Sequence, residues 1–422
     1  MVALTGKRPP AVDGRSSEPR RVLIVVENLP VPFDRRVWSE ATTLAAAGYT
    51  VSVICPNGIG AEADYEFLEG VHVYRHPLPE EGHGPVGYLR EYGAALWHEL
   101  RLALRVRRTR GVDMLHGCNP PDLIFLVAWA LRPFRVRYVF DHHDICPELY
   151  ETKFERRGPL WRAMVLFEWL TFKTASVSIA TNESYAEIAR TRGGMAREDV
   201  FVVRSGPKVE KLELRAPRAE LKRGAKHLIG YVGVIGQQEG LDLLVEAAEH
   251  LIRATGRDDV HFAIVGGGPA LEEVQAEVAS RGLEPYFTFT GRASDDLLLD
   301  VLNTADVCVN PDRATPMNNL STMNKILEYM TLKKPIVQFD LKEGRASAGD
   351  ASLYARQNDP IDFAEKIAAL LDDPERRRRM GEIGRERVES RFSWAHSAPV
   401  LLEAYERAFE KRRGRAARRV QA

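Results

Sequence analysis

The chain has 422 residues, 45% of them apolar, and its 59 basic and 59 acidic side chains balance to a formal charge of zero. That length exceeds what one hydrophobic core ordinarily organises, so two domains are expected. With no net field to attract a polyanion and no apolar run near the ~20 residues of a bilayer span, the composition argues against nucleic-acid binding and against an integral membrane protein.

The four cysteines, Cys55, Cys118, Cys146 and Cys308, are scattered without metal-like spacing and read as reduced thiols of a cytosolic protein. Residues 1–20 are polar, carry Lys7, Arg8, Pro9, Pro10 and Arg15, and lack the apolar centre of a secretory signal, so a disordered tail is expected. Arg21 to Val26 is a nearly continuous apolar run, as in a strand buried on both faces. A loop containing Asp34-Arg35-Arg36 leads to an amphipathic helix over 37–47 that Gly48 stops, and Tyr49 to Cys55 is the next strand. This is a βαβ unit whose ligand site belongs beyond the strand ends, where Arg35 and Arg36 either face a phosphate or acceptor or form a solvated charge run.

Tyr88 to Arg110 sets Leu89, Leu96, Leu100, Leu104 and Val106 against Arg101, Arg105, Arg107, Arg108 and Arg110. An anionic membrane surface or a protein sheet can take such a face, and the docked helix is the expectation, because the sheet needs covering. Trp161 to Phe172 poses the same choice and is again expected to be a core helix. Two strands follow from Val112–His116 and Val136–Phe140, the second running into Asp141-His142-His143-Asp144-Ile145-Cys146-Pro147-Glu148. Polar residues at the end of a parallel strand mark chemistry. Adjacent histidines on extended backbone point in opposite directions, so a shared metal ion is not expected. Val177–Ala180 is a further strand and ends in the polar turn Thr181-Asn182-Glu183 before a helix. Lys208 to Lys226 is rich in charge without apolar periodicity, a linker composition.

The second half restarts with the strand Leu228–Gly233 and the loop Val234 to Gly240. Gly233, Gly236 and Gly240 permit close backbone approach to a ligand. The strand and Gly turn Phe262–Pro269, with Gly266 and Gly268, the strand before Gly291-Arg292, and the strand Ala305–Pro311 repeat that rhythm. The organising stretch is 321–340. Ser321 or Thr322 is placed to cap a helix with the apolar positions Ile326, Leu327, Met330 and Leu332. The capped end, 321–324, offers backbone N–H groups and a positive dipole to a diphosphate. Glu328, one turn inside, is acceptor-only and suits the hydroxyls of a ribose.

These segments, in this order from Arg21 to Tyr405, resemble glycosyltransferase family 4, the retaining enzymes of GT-B fold. The resemblance implies an α/β chain of two Rossmann-like doubly wound domains facing a cleft. An acceptor domain over 21–207 and a nucleotide-sugar domain over 208–390 are expected, followed by a C-terminal helix over 391–410 crossing back to the first domain and a basic tail over 411–422. It implies transfer of a hexosyl or N-acetylhexosaminyl group from a UDP-, GDP- or dTDP-sugar to a hydroxyl acceptor, with retention and without a metal. A lipid-linked glycan, polysaccharide assembly and peripheral contact with the inner face of the plasma membrane are the family-level setting. Glu328 matches the ribose-binding Glu, and His143 the His that contacts the donor sugar. Ser321, Thr322, Met323 and Asn324 match the diphosphate loop, Gly233, Gly236, Gly266 and Gly268 the donor-side turns, and Arg292 the neighbourhood of the base. Arg35, Arg36, Asp141, Asn182 and Glu183 fall to the acceptor or cleft. The chain departs from the family in the first loop, where Asp34-Arg35-Arg36 stands in place of a pair of glycines, and at three donor-side positions. Leu320 replaces the first Glu of the Glu-x7-Glu pattern, as in a branch whose loop reads Ser-Thr-x-Asn-Lys before Glu-Tyr-Met. Val234 and Glu239 replace an Arg and a Lys that meet the diphosphate, and Lys325 is expected to substitute. A sugar-nucleotide epimerase of the same fold and a non-catalytic nucleotide-sugar-binding homologue are the rival readings.

Overall fold

The computed structural model describes residues 19–58, 60–77 and 84–420, with side chains for all of these except 84–91 and 412–420. Nearly all of the expected N-terminal tail, and the side chains of most of the basic C-terminal segment, lie outside the described residues. The chain divides into two compact units, residues up to 117 with 126–137, and 118–125 with 138 onward.

The first unit carries β1 (Arg21–Val26), α1 (Arg35–Ala46), β2 (Thr50–Pro56), β3 (Tyr65–Leu68), β4 (Val71–His76), α2 (Gly84–Thr109), β5 (Met114–Cys118) and most of α3 (Phe125–Leu131). Its strands run in the order β3-β4-β2-β1-β5; β1, β2 and β4 are parallel and β3 returns antiparallel on β4. The Arg21 fork on Asp113, at 3.0 and 2.9 Å, pins the start of β1. Asp34 caps α1 by accepting from the Arg36 and Val37 N–H groups, and Val37, Trp38, Ala41 and Leu44 form its buried stripe. Among the described side chains of α2 the buried positions are Ala95, Glu99, Ala103 and Val106, with Leu96, Leu100, Leu102 and Leu104 half-buried beside them, so this part of the helix docks as expected.

The second unit carries β6 (Arg137–His142), α4 (Cys146–Phe154), α5 (Pro159–Thr174), β7 (Val177–Ala180), α6 (Glu183–Thr191) and β8 (Val200–Val202). It continues through β9 (His227–Val232), α7 (Leu241–Glu249), β10 (Val260–Val265), α8 (Leu271–Ser280), β11 (Phe287–Gly291), α9 (Asp295–Thr304), β12 (Val307–Asn310), α10 (Pro316–Leu320) and α11 (Asn324–Thr331). It ends with β13 (Ile336–Phe339), α12 (Lys342–Ala348), β14 (Ser352–Ala355), α13 (Pro360–Leu371), α14 (Pro374–Arg387) and α15 (Trp394–Val420). β6, β7 and β8 are parallel neighbours, and a six-stranded parallel sheet runs β11-β10-β9-β12-β13-β14. One face of that sheet is covered by α7, α8 and α13, the other by α9 and α11. Each fully buried Leu, Ile or Phe in these two layers contributes about 1.5–3 kcal/mol.

The charged linker is clasped to the sheet's helices. Arg215 bonds Asp296 and Asp300, Arg218 bonds Asp300, and their backbone N–H groups donate to Asn303 Oδ1 and Thr304 Oγ1. α15 packs on β7 and β8, with Arg407 on Asp199 at 3.0 Å and Lys411 on the Ser176 carbonyl at 2.9 Å, which is the crossing-back expected of the last helix. Its backbone stays helical to Val420, through most of the segment expected to be a basic tail.

The helix expected over Trp161–Phe172 forms as α5 but is not a core helix. Its fully buried positions are Glu168, Thr171 and Phe172, while Leu160, Leu166 and Trp169 are exposed. The physical reason is Arg192, whose guanidinium bonds both Glu168 and Glu148 and so turns the Glu168 side of the helix inward.

Candidate active site

The first cluster is built around α11. Tyr329, fully buried, accepts from the Val232 N–H at 2.9 Å and donates to the Val309 carbonyl at 3.3 Å, fixing the helix across β9 and β12. One turn earlier, Lys325 therefore rises beside the end of β9. Its Nζ lies 3.0 Å from Asp312 Oδ1 and 3.3 Å from the Tyr231 hydroxyl, and 4.7 Å above the Tyr231 ring. A Cβ on Gly233 would sit 3.4 Å from that ammonium. The carboxylate of Asp312 and the Tyr231 oxygen hold the Lys325 pKa above its ordinary value despite burial. The same burial pushes Asp312 and Glu239 up, with the Lys325 charge opposing it in both.

Neither Ser321 nor Thr322 caps α11, contrary to the expectation. The N-cap is Met323, whose side chain packs on the apolar layer, and no side chain bonds the first-turn N–H groups. Ser321 Oγ instead donates to the Met317 carbonyl at 2.9 Å and pairs with the Tyr185 hydroxyl at 2.8 Å; Thr322 Oγ1 accepts from Asn182 Nδ2 at 3.1 Å. The first-turn amides thus keep their dipole without a side-chain acceptor, the arrangement that receives an anion.

The glycine turns have distinct tasks. Gly233 and Gly266 meet backbone to backbone, since a Cβ on Gly266, at φ +140°, would lie 1.8 Å from the Gly233 carbonyl oxygen. Gly268 approaches Ile235 in the same way. The Gly236 N–H donates to Glu239 Oε2 at 3.0 Å, so Glu239 closes its own loop. Arg292 is exposed at the end of β11, where Gly291 bonds the Gly266 N–H at 3.0 Å. Glu328 is half-buried on α11.

At the end of β6, His143 Nε2 contacts Asp141 Oδ2, and Asp141 is fully buried. Asn119 holds this loop, accepting from the His143 and Asp144 N–H groups at 2.7 and 3.1 Å and donating to the Asp144 carbonyl at 2.6 Å. His142 points elsewhere, into an aromatic box of Phe140, Phe172 and Tyr185, where burial lowers its pKa to about 3. The two histidines thus have separate partners, as the alternation of extended backbone requires.

A third cluster ties α6 to the loop before α11. Asn182 caps α6 through Oδ1, accepting from the Tyr185 N–H at 2.8 Å, and its Nδ2 donates to the Leu320 carbonyl at 2.9 Å. Ser184 Oγ donates to Glu343 Oε1 at 2.6 Å.

Two family models match the chain, one described as a glycosyl transferase 4-like domain over residues 34–206 and one as glycosyl transferases group 1 over residues 226–373. The chain belongs to the GT-B glycosyltransferase family. Among its relatives, an alpha-D-kanosaminyltransferase of Streptomyces kanamyceticus is 25% identical over 351 residues, covering 78% of this chain and 86% of the relative. A 2-deoxystreptamine glucosyltransferase of the same organism is 27% identical, covering 81% and 90%. In three dimensions the chain is similar to sucrose-phosphate synthase from Thermosynechococcus elongatus, with a TM-score of 0.76 at 18% identity, covering 93% and 100% of the two chains. It is also similar to HepE of Anabaena, solved with UDP-glucose, with a TM-score of 0.68 at 16% identity, covering 92% and 99%. These likenesses establish the GT-B fold.

For this glycosyltransferase the structure brings Gly233, Gly266 and Lys325 together, and Ser321, Thr322 and Asn182 together; His143 and Asp141 form the β6 cluster. Glu183 is exposed and pairs with Arg190 at 3.2 Å. In the first unit, Arg36 is buried against Glu40 at 3.1 Å and Arg35 is exposed. Arg313 is bonded to Asp242 and to the Gln237 carbonyl. Sequence reasoning missed Asn119, Tyr185, Tyr231 and Asp312. Asn119 and Asp312 follow the ends of β5 and β12, so the strand-end rule that marked His143 was the available signal for both.

Proposed function

We propose that this chain transfers a sugar, with retention, from a nucleoside-diphosphate sugar to a hydroxyl acceptor. The observation that carries the reading is Lys325, held by Asp312 and Tyr231 at the Gly233 turn. It supplies a cation where the family's Arg and Lys are replaced by Val234 and Glu239. In this reading the diphosphate rests on the first-turn amides of α11, Glu328 grips the ribose and His143 positions the donor sugar. The anomeric C–O bond breaks as diphosphate leaves. The acceptor oxygen bonds the same face, and its proton passes to the departing phosphate oxygen. Electrostatic stabilisation of that leaving group is the main catalytic task. The α11 dipole and Lys325 perform it, and the reading calls for no metal. UDP-, GDP- and dTDP-sugars are the donor classes. A lipid-linked glycan is the acceptor class favoured by the family, with polysaccharide or glycoconjugate assembly at the inner membrane face as its setting. Small hydroxylated acceptors form the other class, as the names of two relatives indicate.

Two carboxylates beside the ammonium, Asp312 and Glu239, are the observation that keeps a donor-binding but non-transferring homologue as the second reading. The test begins with thermal-shift titration against UDP, GDP and dTDP. A stabilising nucleotide adds about 2.7 kcal/mol at 100 times its Kd. Its sugar conjugates are then incubated with hydroxyl acceptors. Transfer that Lys325→Ala reduces at least tenfold supports the reading; unchanged kcat/KM in that variant overturns it.

A further inference from the structure

The Asn119 side chain spends its whole hydrogen-bonding capacity in one place. Its oxygen accepts from the His143 N–H at 2.7 Å and the Asp144 N–H at 3.1 Å. Its nitrogen donates to the Asp144 carbonyl at 2.6 Å and to Asp122 Oδ1 at 2.9 Å. An asparagine amide offers two lone pairs and two N–H donors, and all four are used. Only one orientation of the amide fits, because two backbone donors face its oxygen while a carbonyl and a carboxylate face its nitrogen. Aspartate keeps the acceptor and loses both donors, serine is too short to span the two sides, and glutamine is longer by one methylene.

This clamp stands on a stiff base. Asn119 is 2% exposed, its own N–H donates to the Asp141 carbonyl at 3.3 Å, and Pro120 and Pro121 follow it with φ fixed by their rings. Asp122 is buried too, and the Thr171 hydroxyl on α5 donates to its carbonyl at 3.2 Å. Cys146 Sγ, at the start of α4, lies 3.7 Å from the Asn119 nitrogen. The loop from β6 to α4 is thus gripped at two consecutive residues by a side chain from the end of β5. The first of the two carries the imidazole whose Nε2 contacts Asp141, so His143 is held at its ring tip by Asp141 and at its root by Asn119. The Asn119 bonds to this loop fall on main chain, so its contribution is placement. A misplacement of about 1 Å at a reacting site costs up to roughly 10²-fold in rate.

We propose that Asn119, oriented by Asp122, is a positioning residue for sugar transfer: it fixes the main chain at His143 and Asp144 so that the imidazole is set against the donor sugar. The inference rests on the reading that His143 meets that sugar. It adds two residues that touch neither substrate, and it ties the ends of β5 and α5 to the rate of the reaction.

The experiment uses the full chain and the sugar conjugate of whichever of UDP, GDP and dTDP stabilises it. Asn119→Ala should lower kcat roughly tenfold or more. Donor KM and the thermal shift given by the free nucleotide should stay within about threefold of wild type, since the nucleotide does not meet His143 in this reading. In a His143→Ala background the same substitution should cost less than about twofold, because the group it places is gone. Hydrogen exchange of the unliganded chain should be faster at the 143 and 144 amides in Asn119→Ala than in wild type.

If Asn119→Ala does not fold, Asp122→Ala reads the same chain of contacts. Its kcat should fall about threefold or more, and the conservative Asp122→Asn, which keeps an oxygen toward the amide, should recover most of that loss. Absence of transfer by the wild type, or a His143→Ala variant that transfers like it, overturns the transfer reading and this inference together. Transfer that His143→Ala impairs but folded Asn119→Ala or Asp122→Ala leaves unchanged overturns the inference alone. So does a full Asn119→Ala loss that persists in the His143→Ala background, or equal exchange of the two amides.

Discussion

The Asn182 side chain donates to the Leu320 carbonyl at 2.9 Å across 138 residues of sequence, while its oxygen caps α6. One amide thus joins the end of β7 to the loop that precedes α11.

Asn182→Asp separates these two tasks. Aspartate caps as well as asparagine, but it cannot donate to Leu320 or Thr322. The expected outcome is a retained α6 with a loosened 320–322 loop, seen as a donor KM raised about tenfold or more for a lost buried hydrogen bond of ~1–3 kcal/mol. Steady-state kinetics beside a melting curve check this. An unchanged KM in Asn182→Asp, with a raised one in Asn182→Ala, would assign the effect to the cap alone.

The Lys325–Asp312 pair makes a second prediction, through a double-mutant cycle. Removing the ammonium alone leaves Asp312 buried and uncompensated, so Lys325→Met should destabilise by about 3–5 kcal/mol. Adding Asp312→Asn should recover most of that loss. Activity should stay at least tenfold down in both, because the cation is gone either way. Urea titration and kcat/KM on the same preparations provide the two readouts.

Glu328 is tested by the ligand as well as by mutation. If its carboxylate accepts from ribose hydroxyls, wild type should bind a ribonucleoside diphosphate roughly tenfold or more tighter than the 2′-deoxy form, by ~1.5–3 kcal/mol for a charged hydrogen bond. Glu328→Leu should bind the two alike. Calorimetric titration with UDP and dUDP measures the ratio, and a deoxy preference that survives the mutation removes the assignment.

His142 makes stability depend on pH. Its folded pKa of about 3 lies below the ordinary 6.5, so between those values the unfolded chain binds a proton that the folded chain refuses. Stability from this group is full above pH 6.5 and falls as pH is lowered toward 3. The expected loss between pH 7.5 and pH 5 is about 2 kcal/mol. Phe140 and Phe172 lie 5.3 Å from the ring, so His142→Phe should fit the box and remove that part of the slope. Chemical denaturation at the two pH values, with and without the mutation, gives the difference.

Most of the parallel strands were legible because buried strands are written as apolar runs ended by a polar residue or Gly, as in Arg21–Val26 and Leu228–Gly233, whereas β4 and β14 were not read from the sequence. His143 and Glu328 were singled out from strand-end and helix-start position, and their roles are proposals. The cap at Ser321 or Thr322 was misjudged because a hydroxyl near a helix start has other acceptors and donors, here Met317, Tyr185 and Asn182, none adjacent in sequence. α5 was misjudged because an apolar count cannot show that Arg192, 24 residues past Glu168, decides which side faces inward. Asp312 was overlooked among charged residues because only the fold sets it 3.0 Å from Lys325.

The chain leaves the β8 end through Ser205-Gly206-Pro207 and returns before α15 at Phe392-Ser393-Trp394. At that point a Cβ on Gly206 would lie 1.9 Å from the Phe392 carbonyl oxygen, the Trp394 N–H donates to the Pro207 carbonyl at 3.1 Å, and Ser397 Oγ to the Arg204 carbonyl at 2.9 Å. Outgoing and incoming polypeptide are stitched at a single spot. Gly206 is what lets the two segments lie this close, and a side chain there would drive them apart.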